Sequence, residues 1–426
     1  MYKRQDRGGE FAALFGIDEP ASGGLGLLRW GGLALASGVF AARAQTPMLR
    51  HAAQAFAALL AYGFVAQALP QAARSVALPL LVPAALAIMG WWCRAGRRIP
   101  LAGAAMLFVL SLCWAFLPLV VWLNQALQSL GGVPMTVNDA DLAVSPVLRR
   151  LAAPALLFVA AAWSARGRLP RPALAVVWFV AGGLGIIALH TLYRHGFAAV
   201  AGSDFVTAGL AQRLGWIALV GGAGTVLWWR YPQDRAGKLG SPVLAAAAAL
   251  HVLVYSLVLH NPLWSAQHVG VLPVLNLLIP LFAALPLALL LLQHCCAVLA
   301  GAVGRIMQPV LMVSVIMFCW ASLRQSFHGT LLVAPGVSDA EDILRSILGI
   351  ALAIAFLLWG IRSGRRDWRL ASLGLMLAAV VKVFVFDASG LEGLLRIGSF
   401  VALGFSLIGI GWLYSRQLRA QGPMAD

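Results

Sequence analysis

Three groups of polar residues interrupt an otherwise apolar chain. The first lies towards the C-terminus, where Lys382 and Asp387 precede a turn at Ser389-Gly390 that leads to Glu392 and Arg396. Lys382 stands five residues before the end of its apolar run, about 7.5 Å of helix rise. Its ammonium must therefore snorkel to the interface or pair with Asp387. Glu392 and Arg396 stand at i and i+4 in the favourable order for an ion pair. Such a cluster can hold an anionic headgroup or serve acid/base chemistry, and it can equally lock a helical hairpin, which is the commoner use.

The second group brackets a loop. Arg324, Gln325 and His328 leave one apolar run, and Glu341 and Arg345 begin the next. Arg324 and His328 share a helical face. A guanidinium binds phosphate with two parallel hydrogen bonds and an imidazole moves protons near neutral pH, although both are also ordinary helix-end residues. The third group is His260-Asn261-Pro262-Leu263-Trp264, followed by Asn276 between Pro273 and Pro280. Proline frees backbone carbonyls, which Asn276 can satisfy unless it faces a polar cavity. A helix broken in this way is the raw material of a transport site. The isolated His190, His195 and His251 receive no role.

No metal or cofactor is expected. The five cysteines, Cys93, Cys113, Cys295, Cys296 and Cys319, lie in or beside apolar runs without a metal-type spacing. His294, Cys295 and Cys296 are neighbours on a helix and so point in different directions. Two glycine clusters, Gly182, Gly183 and Gly185, then Gly221, Gly222 and Gly224, follow no strand, so they signal close helix packing and not a phosphate loop.

The elements that must carry these groups are transmembrane. Of 426 residues 61% are hydrophobic and 11% charged, too few charges to clothe a water-facing surface. Thirteen apolar runs fall at 24–42, 52–69, 76–93, 100–123, 148–165, 172–192, 206–229, 241–260, 271–304, 306–323, 343–361, 368–387 and 394–414. Most have the length that crosses a bilayer as helix. This predicts an all-α polytopic bundle over 24–414, with a short segment 1–23 before it and a cytoplasmic tail 415–426. The run 271–304 contains Pro273, Pro280 and Pro286, and is either one kinked helix or two half-spans.

Charge chooses between these. With 271–304 kept whole, one set of alternate connections holds eighteen basic residues, including Arg94, Arg97, Arg98 and the cluster Arg362, Arg365, Arg366 and Arg369. The other set holds eight, Arg74, Arg149, Arg150, Arg194, Arg213, Arg324, Arg345 and Arg396, against eight acids. The basic set is expected in the cytoplasm. Splitting the run would spoil the asymmetry. The net charge of +16 is thereby explained by short basic loops, and nucleic acid is not expected as a partner; the bilayer is.

The ending of the chain carries a resemblance. Lys382-Val-Phe-Val-Phe-Asp387, Leu391-Glu-Gly-Leu-Leu-Arg396-Ile-Gly-Ser399-Phe400 and Gly411-Trp412-Leu413-Tyr414 resemble the close of the domain-of-unknown-function 2339 family of bacterial membrane proteins. Arg324-Gln-Ser-Phe327-His328-Gly329, the helix start from Glu341 to Ser346, and Asn261-Pro-Leu-Trp264 with Asn276 are similar to the same family, so that the likeness is strongest over 250–426. The resemblance implies architecture without a reaction, and longer members with an N-terminal coiled-coil region. Met1–Gln5 reads as a sequencing-adapter scar, which leads to the expectation that the chain is a fragment of a longer protein.

These readings predict a multi-pass protein of a bacterial inner membrane with a structural or scaffold role in the envelope. Two alternatives stand beside it: an enzyme or carrier for an anionic or lipid-linked precursor at the outer face, and a secondary transporter.

Overall fold

The computed structural model describes residues 23–137, 143–382 and 408. Within them the chain forms twelve helices and no strand. The chain divides into two compact units, 1–203 and 204–426.

The first unit holds α1 (Gly23–Arg43), α2 (Pro47–Ala68), α3 (Gln71–Arg94), α4 (Leu101–Leu130), α5 (Val144–Ser164) and α6 (Arg171–Ala201). Its helices begin where proline presets the backbone: Pro47, Pro70, Pro100 and Pro170 stand at or beside the first turns. α1 pairs with α2, α2 with α4, α3 with both α4 and α5, and α5 with α6. One core gathers Leu86, Ala115, Leu151, Phe158 and Leu184, and another Tyr62, Leu78, Val82, Leu110 and Trp114. Trp114 donates its indole N–H to the Tyr62 hydroxyl at 3.0 Å, which settles a donor that would otherwise be stranded in the core.

The second unit holds α7 (Phe205–Arg230), α8 (Gly237–Leu259), α9 (Leu278–Cys295), α10 (Ala297–His328), α11 (Asp339–Arg362) and α12 (Arg366–Val381). Its main core lies between α7, α8, α9 and α10, around Leu214, Val252, Leu281, Phe282 and Met307. A satellite core of Met312, Phe356 and Trp368 joins α10, α11 and α12. There the Trp368 indole donates to Gln308 at 2.7 Å.

Ten of the helices are long and apolar enough to cross a membrane. Large apolar side chains stay on the outside, as with Leu156, Phe179 and Trp229, each more than 70% exposed. In water so much exposed apolar surface would drive association; in lipid it is the solvated face. Twelve of the thirteen expected runs map onto helices of the described residues. The thirteenth, 394–414, lies outside them apart from residue 408, as do the segment 1–22 and the C-terminal part of run 368–387.

Two expectations are corrected. The run 271–304 is not one helix: 271–277 is irregular, α9 occupies Leu278–Cys295, and α10 begins at Ala297. The break stands at Cys296, whose extended backbone (φ −128°, ψ 93°) reverses the chain without Gly or Pro. The number of helices is unchanged because the stretch after Cys296 joins the next run, placing Arg305 inside α10. The glycine clusters are the second correction. Gly182, Gly183 and Gly222 face open space, and only Gly224 of those six makes a tight approach, with Leu244 and Leu291. Closer contacts belong to Gly63 and Gly90. A Cβ on Gly90 would stand 2.7 Å from the Ala161 carbonyl oxygen, and one on Gly63 2.1 Å from the Trp30 ring. At these two points neighbouring helices meet only because a side chain is missing.

Candidate functional site

Arginines sort by the end of the helix they occupy. Those of the arginine-rich connections, among them Arg43, Arg94, Arg97, Arg98, Arg166, Arg230, Arg362 and Arg365, are exposed. Several of the arginine-poor connections fold into the protein. Arg74, 2% exposed, donates to the Leu69 carbonyl at 2.9 Å. Arg194, 3% exposed, donates to Gln125 at 2.9 Å and to the Thr136 carbonyl. Arg213 reaches the His260 carbonyl at 3.4 Å and the Gln267 side chain. Arg324 donates to the carbonyls of Leu332 and Ala334. Each guanidinium satisfies carbonyls at helix ends and in loops. Sequence reasoning gives Arg74, Arg194, Arg213 and Gln267 no role of this kind, because there they look like ordinary helix-end residues.

The densest polar group is centred on Glu341, which is fully buried. It sits in the first turn of α11, behind Ser338, whose hydroxyl accepts the Glu341 backbone N–H at 3.2 Å as the helix cap. One carboxylate oxygen accepts Arg345 Nη2 at 2.6 Å and Arg324 Nη1 at 3.1 Å; the other meets His328 Nε2 at 2.8 Å. Arg345 reaches it as the i+4 neighbour on α11. Arg324 and His328 come from the last turns of α10, four residues apart on one face as expected. Both carboxylate oxygens are thus occupied by donors from two helices.

Next to Glu341 in the chain, Asp342 pairs with Lys382, which follows Val381 of α12. The ammonium lies 3.0 Å from the carboxylate and 2.8 Å from Ser346 Oγ. Lys382 therefore turns towards α11. Asp387, the partner expected for it, lies outside the described residues together with Glu392 and Arg396. Lys382 and Arg345, assigned to separate groups in the sequence, line a single cleft with Trp320.

Asn261 and Asn276 act on backbone. Buried Asn261 donates to the Leu257 carbonyl at 3.2 Å and accepts the Leu263 N–H at 3.0 Å, closing the end of α8. Asn276 accepts the Leu278 N–H at 2.8 Å at the start of α9, and donates to the Leu272 carbonyl at 3.1 Å and to Gln325. Buried Gln325 in turn donates to the Gly270 carbonyl at 2.9 Å. The irregular stretch 270–277 is held by this amide pair. Val274 within it carries a positive φ of 69°, rare for a β-branched residue. The neighbouring connection is tied by an isolated antiparallel bridge between His268 and Leu331. His260, just past α8, is buried with Arg213 beside it, and burial first and that charge second push its imidazole down to about 4.

The described residues contain no group of three metal-ligating side chains. All five cysteines are free.

Apolar helices in this number, with polar groups gathered towards their ends, define a polytopic α-helical membrane protein. Over residues 12–417 the chain matches the family described as predicted membrane protein, domain of unknown function 2339 (DUF2339), and it belongs to that family. The match extends well upstream of the region in which the sequence likeness was strongest. No curated protein and no solved structure matches the chain.

Proposed function

We propose that the chain is a structural protein of a bacterial inner membrane, and that its polar groups hold helix ends and outer connections in one arrangement. The observation that carries this reading is the saturation of Glu341. Its two oxygens meet Arg324, Arg345 and His328, and no part of the carboxylate is exposed, so a substrate would have to displace a charged partner to reach it. Gln325, Asn261 and Asn276 likewise spend their amides on the protein's own backbone. The exposed arginines belong to the cytoplasmic face by the positive-inside rule, which puts the Glu341 group at the outer end of unit two.

The test is Glu341→Gln. Removing one partner of a buried ion pair costs about 3–5 kcal/mol, so the variant is expected to be less abundant in membranes and to melt lower in detergent. A variant with wild-type abundance and melting temperature would contradict the structural reading and favour a catalytic or binding role for the carboxylate.

A further inference from the structure

Beside the Glu341 group, α10, α11 and α12 leave a cavity of about 250 Å³ between them. Ile316 and Trp320 line it from α10, Leu348, Gly349 and Leu352 from α11, and Leu375 from α12. Its polar lining is cationic: Arg345 from α11 and Lys382 from the end of α12. From Arg345 to Leu352, and from Leu375 to Lys382, the cavity extends seven residues along each helix, about 10 Å. Both cations therefore stand at the same end, where α11 begins, and the other end is wholly apolar. The Trp320 ring lies near the cationic end, with the Arg345 guanidinium 5.8 Å from its centroid.

This polarity matches an amphiphile that carries a negative charge. Arg345 and Lys382, which hold Glu341 and Asp342, both turn to the cavity as well. The buried Nε–H of Arg345 also has no acceptor, a cost that an incoming oxygen removes. A phosphodiester supplies one negative charge and several acceptors, and a tryptophan at headgroup depth is where a bilayer favours it. We propose that the cleft between α10, α11 and α12 binds one anionic phospholipid of the surrounding bilayer, with the phosphate at Arg345 and Lys382 and an acyl chain along Trp320, Leu348 and Leu352. The assignment goes beyond the structural reading of Glu341 and stands without it.

Two variants test the site from opposite directions. Lys382→Gln removes a headgroup cation. Gly349→Leu fills the apolar floor while keeping both cations; a Cβ there meets only the Ala379 methyl at 3.6 Å, and leucine is the better helix former. Full-length protein is reconstituted in nanodiscs of equal phosphatidylglycerol and phosphatidylcholine, released into mild detergent, and its retained lipid measured by native mass spectrometry. Wild type is expected to keep one phosphatidylglycerol in preference to phosphatidylcholine by about tenfold, because phosphatidylcholine brings the same phosphate but sets its choline cation beside Arg345 and Lys382. Both variants should lose that preference, and Gly349→Leu should keep the wild-type melting temperature in detergent. Equal retention of the two lipids by wild type, or an undiminished preference in Gly349→Leu, would overturn the proposal. So would protein from its native membrane carrying a polyisoprenyl phosphate in place of a phospholipid. Because Glu341→Gln reads stability and these variants read lipid selectivity, either reading can fail without the other.

Discussion

At the scale of single residues, charge in this protein is spent on backbone and on partners. Arg324 ties Glu341 to two loop carbonyls at once, a geometry that a planar fork supplies and an ammonium does not. Arg324→Lys is therefore expected to lower the melting temperature almost as far as Arg324→Ala, measured by tryptophan fluorescence in detergent; full rescue by lysine would show that charge alone suffices. His260 gives a pH dependence. Its imidazole is held at about 4 in the fold, against about 6.5 when unfolded. The unfolded form thus binds the proton first as pH falls, and stability present above pH 6.5 is lost on the way down to 4. Wild type should melt lower at pH 5 than at pH 7, and His260→Gln should reduce that difference. An equal difference in the variant would place the titration elsewhere.

At the scale of elements, helices were legible because lipid demands long apolar runs, and twelve runs recur as helices. Where runs join, the pattern is silent. Nothing in Cys295-Cys296-Ala297 looks like a turn, and hydropathy passes through it unbroken, yet α9 ends and α10 begins there. Glycine clusters misled for a related reason: composition marks where helices can approach, while the partner helix decides where they do. Gly90 shows it, since its backbone meets that of Ala161. Gly90→Leu should separate α3 from α5 and cost about 1–3 kcal/mol as overpacking, whereas Gly182→Leu, with nothing near its Cβ, should leave the melting temperature unchanged. Of the candidate site, Arg324, His328, Glu341 and Arg345 were recognisable as one group from their places around a loop. The Lys382–Asp342 pair was not, because it joins residues forty positions apart across two helices. At the same scale, the irregular stretch 270–277 depends on the Asn276 and Gln325 amide pair. Gln325→Leu should speed hydrogen exchange in that stretch relative to α9, and unaltered exchange would mean that Asn276 holds it unaided.

At the scale of the whole molecule, counting arginines understates the asymmetry they report. The eight of the poorer set include Arg74, Arg194, Arg213 and Arg324, which are turned inward to carbonyls, while most of the richer set stays exposed. Surface positive charge at alternate connections is therefore more one-sided than the loop count that the positive-inside rule uses. Orientation decides which face presents the Glu341 group and the neighbouring lipid cleft. Reporter fusions in the full chain after Arg98, Arg365 and Gly336 test it directly. The account predicts cytoplasmic signals after Arg98 and Arg365 and an external signal after Gly336; Arg98 and Arg365 on opposite sides of the membrane would contradict it.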